Sequence, residues 1–266
     1  MIDRRQRSNG GSRNVYLLAT SHVPDPYVNV LAHLLQHENL SSVNFVNIIE
    51  GEGAPAEADV QIRSIYAEIV KLMEALAGGT YPREVDGEIH HHSIGQKAAE
   101  RYSALLEKLL RVKTRMVTVR WGELDQELEK FIADGRAIFD VTTLKKNLLV
   151  DVVSLLVSRG CMEFYSFDLG RAPRYFDDRD LIHSLDPDGY SYRRISDSPH
   201  IEAARKRMVA RSATLRFLLL SASVVGALVI LVQFFFPDSW ADKLVVAAAT
   251  AASIVSLLFV LQREDR

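Results

Sequence analysis

Short apolar runs alternate with amphipathic segments through the first 170 residues of the chain. Runs rich in strand-forming residues predict five strands, at residues 14–20, 43–49, 116–121, 137–141 and 161–169. Segments with apolar residues at helical spacing predict five helices, at residues 27–36, 57–77, 96–113, 123–133 and 144–158. The first of them is expected to have Asp25 as its N-cap and Pro26 at its first helical position. This alternation is typical of an α/β, Rossmann-like, doubly wound fold with a mainly parallel sheet.

Two polar segments interrupt the alternation. Residues 78–95 contain four glycines, a proline and the adjacent histidines His90, His91 and His92. Neighbouring residues on a strand point to opposite faces, and no partner ligands stand at a familiar spacing, so we expect a flexible surface loop and no metal site. Residues 170–200 form a polar connector, in which 185–195 could be a turn and a short strand.

The pattern changes after about residue 210, where two long runs without charged residues follow each other. The run 217–236 spans roughly 30 Å as a helix, the thickness of a bilayer core. The run 244–261 follows a short polar turn and is rich in small residues that suit helix–helix contact. These runs predict a C-terminal hairpin of two transmembrane helices, with a buried hairpin in a soluble core as the alternative.

The charged residues that flank the two runs predict the orientation of the hairpin. Basic residues precede the first run and follow the second: Arg205, Lys206, Arg207, Arg211, Arg216, Arg263 and Arg266. The positive-inside rule places both termini and the soluble part in the cytoplasm, with the protein in the inner membrane. The net charge of −2 argues against a partner of double-stranded nucleic acid, so we assign the basic cluster to topology and to anionic lipid.

The chain therefore divides into four parts: a polar tail 1–13, a Rossmann-like domain 14–170, a connector 171–212 and a transmembrane hairpin 213–266. Its one cysteine, Cys161, cannot form an internal disulfide and is expected to be a buried thiol. No apolar signal-peptide core follows the basic N-terminus. The sequence contains no GxGxxG, GxxxxGK[ST] or GxSxG motif, so we expect no dinucleotide cofactor and no catalytic residues of these classes.

The most informative polar residues follow the predicted fourth strand, where ligands of doubly wound sheets commonly bind. The candidate ligand-binding residues of this loop are Thr142, Thr143, Lys145, Lys146 and Asn147. Hydroxyl and ammonium groups donate to phosphate oxygens, and a bound anion would offset the unfavourable placement of lysines at a helix N-terminus. The alternative is that both lysines simply point to solvent.

A second set of candidates follows the first predicted strand. Thr20, Ser21 and His22 would face the same crevice if the first and fourth strands are neighbours in the sheet. Glu50 and Glu52 follow the second strand and are expected to lie in a plain loop, with contact to a ribose or a catalytic role as the alternatives.

The segment Asp140-Val141-Thr142-Thr143-Leu144-Lys145-Lys146-Asn147, followed by an apolar helix, SRG and another strand, resembles the CARF (CRISPR-associated Rossmann fold) family. The family carries a polar D/N-x-T/S-G-G-T-K/R loop after its fourth strand and a Ser/Thr-containing loop after its first, where this chain has Thr20-Ser21. The resemblance covers about residues 13–170. It departs from the family pattern at Thr143-Leu144, which stand in place of the glycine pair.

The resemblance implies a cyclic oligonucleotide ligand bound across a homodimer or higher homo-oligomer, with the signal passed to a fused effector. Here the effector would be the hairpin, and the lipid bilayer its target in bacterial antiviral defence. The leading hypothesis is therefore a non-enzymatic, membrane-anchored sensor. A membrane-tethered nucleotide hydrolase or ring nuclease, and a membrane-anchored interaction module, remain as alternatives.

Overall fold

The computed structural model describes residues 11–50, 55–85, 88–171, 178–185, 188–204 and 206. Within them eight strands form, and their bounds are β1 Arg13–Ala19, β2 Leu40–Ile49, β3 Thr80–Val85, β4 Glu88–Ser93, β5 Lys113–Arg120, β6 Ala137–Asp140, β7 Phe164–Leu169 and β8 Tyr190–Arg194. The helices are α1 Asp25–His37, α2 Pro55–Ala77, α3 Gln96–Arg111, α4 Leu124–Ala133 and α5 Lys146–Ser158.

Six of the strands form one sheet in the order β5-β2-β1-β6-β7-β8. The first five strands of this order pair in parallel, and β8 pairs antiparallel to β7 at the edge. Helices connect the parallel strands, as such pairing requires. The chain therefore has an α/β, Rossmann-like fold with a mainly parallel sheet, as the alternation of its sequence predicts.

Helices cover both faces of this sheet. Alternate residues of β1 point to opposite sides: Leu17 packs into a core with α1, α2 and α3, whereas Leu18 packs into a second core with α4 and α5. Burial on both faces explains why the strand sequences read as continuous apolar runs rather than as alternating ones. The switch of helical layers between β1 and β6 creates the topological switch point.

The element boundaries differ from the sequence prediction by a few residues. Helix α1 begins at Asp25 with Pro24 in the capping position, so Asp25 lies in the first turn of the helix instead of capping it. Helix α5 begins two residues later than predicted. It ends at Ser158, as expected, and Gly160 follows with a φ of 73°, which allows the N–H of Cys161 to reach the carbonyl of Leu156 at 2.9 Å.

Residues 78–95 are the main correction to the predicted fold. Strands β3 and β4 pair there as an antiparallel hairpin, separate from the large sheet, where a flexible loop was expected. All six residues of β4 are exposed, including His90, His91 and His92. The expected short strand within 185–195 is present as β8, which extends the main sheet beyond residue 170.

No helix within the described residues is both long and apolar enough to cross a bilayer. The two apolar runs, 217–236 and 244–261, lie outside the described residues.

Candidate ligand site at the switch point

The loops that follow β1 and β6 meet at the carboxyl edge of the sheet. Strands β1 and β6 are hydrogen-bonded neighbours, and the chain leaves them toward helices on opposite faces. The Oγ1 hydroxyl of Thr20 donates to the main-chain oxygen of Thr143 at 2.7 Å. The two loops chosen from the sequence are thus in direct contact, at the place where doubly wound folds bind their ligands.

Threonine hydroxyls hold these two loops together. The Oγ1 atom of Thr20 also accepts a hydrogen bond from the N–H of Lys145 at 3.0 Å. The buried Oγ1 of Thr143 donates to the carbonyl oxygen of Leu18 at 2.9 Å. We refer to Thr20, Thr143 and Lys145 as the loop clamp. The hydroxyls of Thr20 and Thr143 both hydrogen-bond to protein atoms, so they hold the two loops in position. Direct contacts to an anion would come from neighbouring groups.

Asp140 and Thr142 form a second internal network beside the clamp. The carboxylate of Asp140 accepts hydrogen bonds from the N–H of Thr142 at 3.1 Å and from its Oγ1 at 3.0 Å. The same Oγ1 accepts from the N–H of Phe167 at 2.8 Å, which ties the β6 loop to β7. Complete burial raises the pKa of Asp140 to about 7, although the Thr142 hydrogen bonds oppose the shift.

A crevice of about 240 Å³ opens next to the clamp. Thr20, His22, Glu50, Gln61 and Lys145 line it together with apolar residues of β2 and α5. Lys145 and His22 are exposed there, and Nε2 of Gln61 lies 2.8 Å from Nε2 of His22. The crevice therefore combines an exposed ammonium group with an imidazole, an amide and the Glu50 carboxylate.

The N-terminus of α5 lies at the same crevice. The helix begins at Lys146 and has no acidic residue in its first turn and no side-chain cap. The first N–H groups of a helix lack partners within the helix, and its dipole places partial positive charge there. An anion near Lys145 would satisfy these groups and relieve the unfavourable position of the lysines.

The other predicted residues have different positions. Lys146 is exposed but does not line the crevice, and Asn147 donates through Nδ2 to the carboxylate of Glu50 at 2.9 Å. Ser21 shapes its own loop, because its Oγ accepts from the N–H of Val23 at 3.2 Å. The structure thus brings Thr20, His22 and Lys145 to one crevice. Glu50, expected in a plain loop, lies in it as well.

Among the described residues, no group of three or more His, Cys, Asp or Glu side chains is placed to hold a metal ion. The histidines of β4 are exposed and distant in sequence from the switch point. Cys161 is buried, and burial raises the pKa of its thiol, which disfavours the reactive thiolate.

Comparison of the sequence with models of known protein families, and with curated proteins, gives no match. The class of this protein is defined here by its fold and its candidate site: an α/β, Rossmann-like domain with a polar crevice at the topological switch point.

Proposed function

We propose that this protein is a membrane-anchored sensor that binds a cyclic oligonucleotide, or a related nucleotide second messenger, at the switch-point crevice. The observation that carries the proposal is the contact between the β1 and β6 loops, beside an exposed Lys145 at the start of α5. Loops of this kind, at the carboxyl edge of a doubly wound sheet, are where nucleotides bind in many unrelated proteins. The CARF-like sequence pattern supports a cyclic oligonucleotide within that class.

Lys145 has the central role in phosphate binding in this proposal. Its N–H is fixed by Thr20, so its exposed side chain starts from a defined backbone position at the mouth of the crevice. A phosphate there would lie near the positive end of α5 and within reach of His22. The negative charge of Glu50 disfavours an anion in the crevice. The hydrogen bond from Asn147 holds the Glu50 carboxylate at the α5 side of the crevice.

The membrane part of the proposal rests on the sequence beyond the described residues. The charge-free runs 217–236 and 244–261 form a transmembrane hairpin in our proposal, with both termini and the Rossmann-like domain in the cytoplasm. Neither run contains an ionisable residue of the kind that lines ion pathways. Ligand binding by a homodimer or higher homo-oligomer would then disrupt the membrane by assembly of hairpins, as a response in antiviral defence.

The binding experiment uses the purified full-length chain in detergent and a panel of cyclic di-, tri-, tetra- and hexanucleotides. We expect at least one member to raise the melting temperature, because a ligand of the native state stabilises it by mass action. The double variant Lys145→Ala, Lys146→Ala should bind that ligand at least about tenfold more weakly, since it loses charge-assisted contacts to phosphate.

The matched control is Lys71→Ala, Lys97→Ala, which removes the same charge from exposed positions on α2 and α3. It should bind as the unaltered chain does. The proposal is wrong if no member of the panel changes the melting temperature, or if the crevice variant keeps full affinity. Chromatography of the nucleotide after incubation separates sensing from cleavage, because linear products would instead indicate a ring nuclease.

A further inference from the structure

Among the described residues that line the crevice, Glu50 carries the only carboxylate. It directly follows β2, which is the neighbour of β1 in the sheet. The topology therefore brings its side chain to the same edge of the sheet as Thr20 and Lys145. A carboxylate disfavours the phosphate that we assign to this crevice, so Glu50 calls for a different group of the ligand.

The strand order gives this position a chemical meaning. Numbered by their place along the chain, the strands of the main sheet follow the order third, second, first, fourth, fifth and sixth. In doubly wound sheets of that order, an acidic residue at the end of the second strand accepts a hydrogen bond from a ribose hydroxyl. Glu50 stands at this place. The glycine fingerprint of dinucleotide sites is absent from the sequence, so the comparison concerns only the position of the carboxylate.

The Glu50 side chain is held at the crevice and keeps acceptor capacity. Its Oε1 atom accepts a hydrogen bond from Nδ2 of Asn147, in the first turn of α5, at 2.9 Å. An ionised carboxylate has about four acceptor positions on its two oxygens. Because Glu50 is exposed, the remaining positions are accessible to a ligand that enters the crevice.

Lys145 and Glu50 give the crevice both a cation and an anion. The ammonium group and the N-terminus of α5 favour a phosphate, whereas the carboxylate favours a neutral group that donates hydrogen bonds. A ribonucleotide carries both kinds of group close together, as a phosphate ester and as a free hydroxyl of the same sugar. The crevice volume of about 240 Å³ is small for a ligand site and suits one phosphate with its ribose.

We propose that Glu50 binds the 2′-hydroxyl of the ribose whose phosphate binds Lys145, and thereby selects ribonucleotides over deoxyribonucleotides. This inference rests on the proposed function and names the sugar of its ligand. The 2′-hydroxyl is the group that distinguishes the two classes of nucleotide. In a cyclic oligonucleotide the bound unit must then be linked through its 3′-oxygen, because a 2′-linkage removes the hydroxyl that Glu50 binds.

The experiment compares cyclic di-, tri-, tetra- and hexanucleotides with their 2′-deoxy counterparts, by isothermal titration against the full-length chain in detergent. The tightest ribose form should bind about tenfold more tightly than its counterpart, which leaves a charge-assisted hydrogen bond unmade. Glu50→Ala should bring this ratio toward one. Glu50→Gln keeps an acceptor oxygen and should retain part of the ratio.

Two further variants serve as controls. Glu57→Ala removes the same charge from an exposed position in the first turn of α2, outside the lining of the crevice, and should leave the ratio unchanged. Lys145→Ala should weaken the ribose and deoxyribose forms alike, since both carry the phosphate. Melting temperatures without nucleotide verify that each variant is folded.

The outcomes separate this inference from the proposed function. Equal binding of the ribose and deoxyribose forms by the unaltered chain overturns the inference and leaves the function standing. A ratio that survives in Glu50→Ala does the same, because another group then binds the hydroxyl. If Glu50→Ala tightens both forms by the same factor, Glu50 only repels phosphate, and the inference is again overturned. Binding of no cyclic nucleotide overturns the function and the inference together.

Discussion

The switch-point loops and the β3–β4 hairpin are both polar interruptions between apolar segments, yet they have opposite environments. The switch-point loops contribute buried Asp140 and Thr143, whose polar atoms are hydrogen-bonded within the protein. The hairpin presents an entirely exposed strand β4, with three histidines and Ile89 in contact with solvent. A similar density of polar residues therefore produces a rigid internal network in one region and a solvated surface in the other.

The difference follows from the position of each segment in the topology. The β6 loop lies between two paired strands and the helices of both layers, so its polar atoms must find partners inside the protein. The hairpin pairs only with itself, and although Tyr81 of β3 is buried in the core, every residue of β4 is exposed to water. Polar residues at the switch point should therefore influence stability strongly, and those of β4 weakly.

The largest expected effect concerns Asp140. Burial raises its pKa from 3.8 to about 7, so the folded protein holds this proton more tightly than the unfolded chain does. The stability that protonated Asp140 contributes is fully present below about pH 4 and is lost as the pH rises to about 7. The free energy of unfolding changes by up to about 4 kcal/mol over this range. Asp140→Asn cannot ionise and should lack this loss of stability. Urea unfolding at pH 5 and pH 8 measures both profiles.

The control for this experiment is Asp151→Asn, which alters an exposed aspartate of α5 and should keep the wild-type profile. The difference in unfolding free energy between wild type and Asp140→Asn, taken at each pH, isolates the contribution of Asp140 from that of the other titrating carboxylates. Burial opposes the ionisation of Glu163, for example, but Arg13 and Arg194 lower its pKa overall. The stability that ionised Glu163 contributes is therefore lost as the pH falls. Identical pH profiles for Asp140→Asn and wild type would contradict the assigned environment of Asp140.

An effect of intermediate size is expected at the loop clamp. Thr143→Val keeps the branched shape of the side chain but removes the buried donor to the Leu18 carbonyl. The free energy of unfolding should fall by about 1–3 kcal/mol. Thr114→Val is the matched control, because its hydroxyl is half-exposed and makes only a 3.5 Å contact with the Val112 carbonyl. Equal effects at the two positions would show that the clamp hydroxyl does not stabilise the switch point.

The position of the switch-point loops could be predicted from the sequence, because the alternation of strands and helices determines which loops share an edge of the sheet. The roles of the hydroxyls could not. The Thr20 hydroxyl can bind either a ligand or the backbone of Thr143, and the choice depends on the distance between two loops that are more than 120 residues apart in the chain. Only the register of β1 and β6 defines that distance. The apolar run of β6 likewise gives no sign that Asp140 is completely buried.

The sequence pattern also gives no sign of a cavity of about 290 Å³ that Asp25, Thr142, Phe167 and Asp180 line, because its walls come from segments far apart in the chain. The sequence pattern predicts that Asp25 caps a helix and that Asp180 belongs to a polar connector, whereas both are buried beside β7. The hairpin did carry a local signal: Asp86-Gly87, a dipeptide typical of tight turns, stands between residues with strand propensity. The glycines and histidines around it favoured a loop instead.

The smallest expected effect concerns the histidines of the hairpin. The variant with His90, His91 and His92 all changed to Ala should unfold with a free energy within about 0.5 kcal/mol of wild type per position, since exposed residues without buried contacts contribute little. The 4.0 Å approach of Glu88 to His90 is too exposed to matter. Urea unfolding at pH 8 measures this variant beside Thr143→Val. A loss comparable to that of Thr143→Val would mean that β4 is covered in the native protein, and would remove the contrast between the two regions.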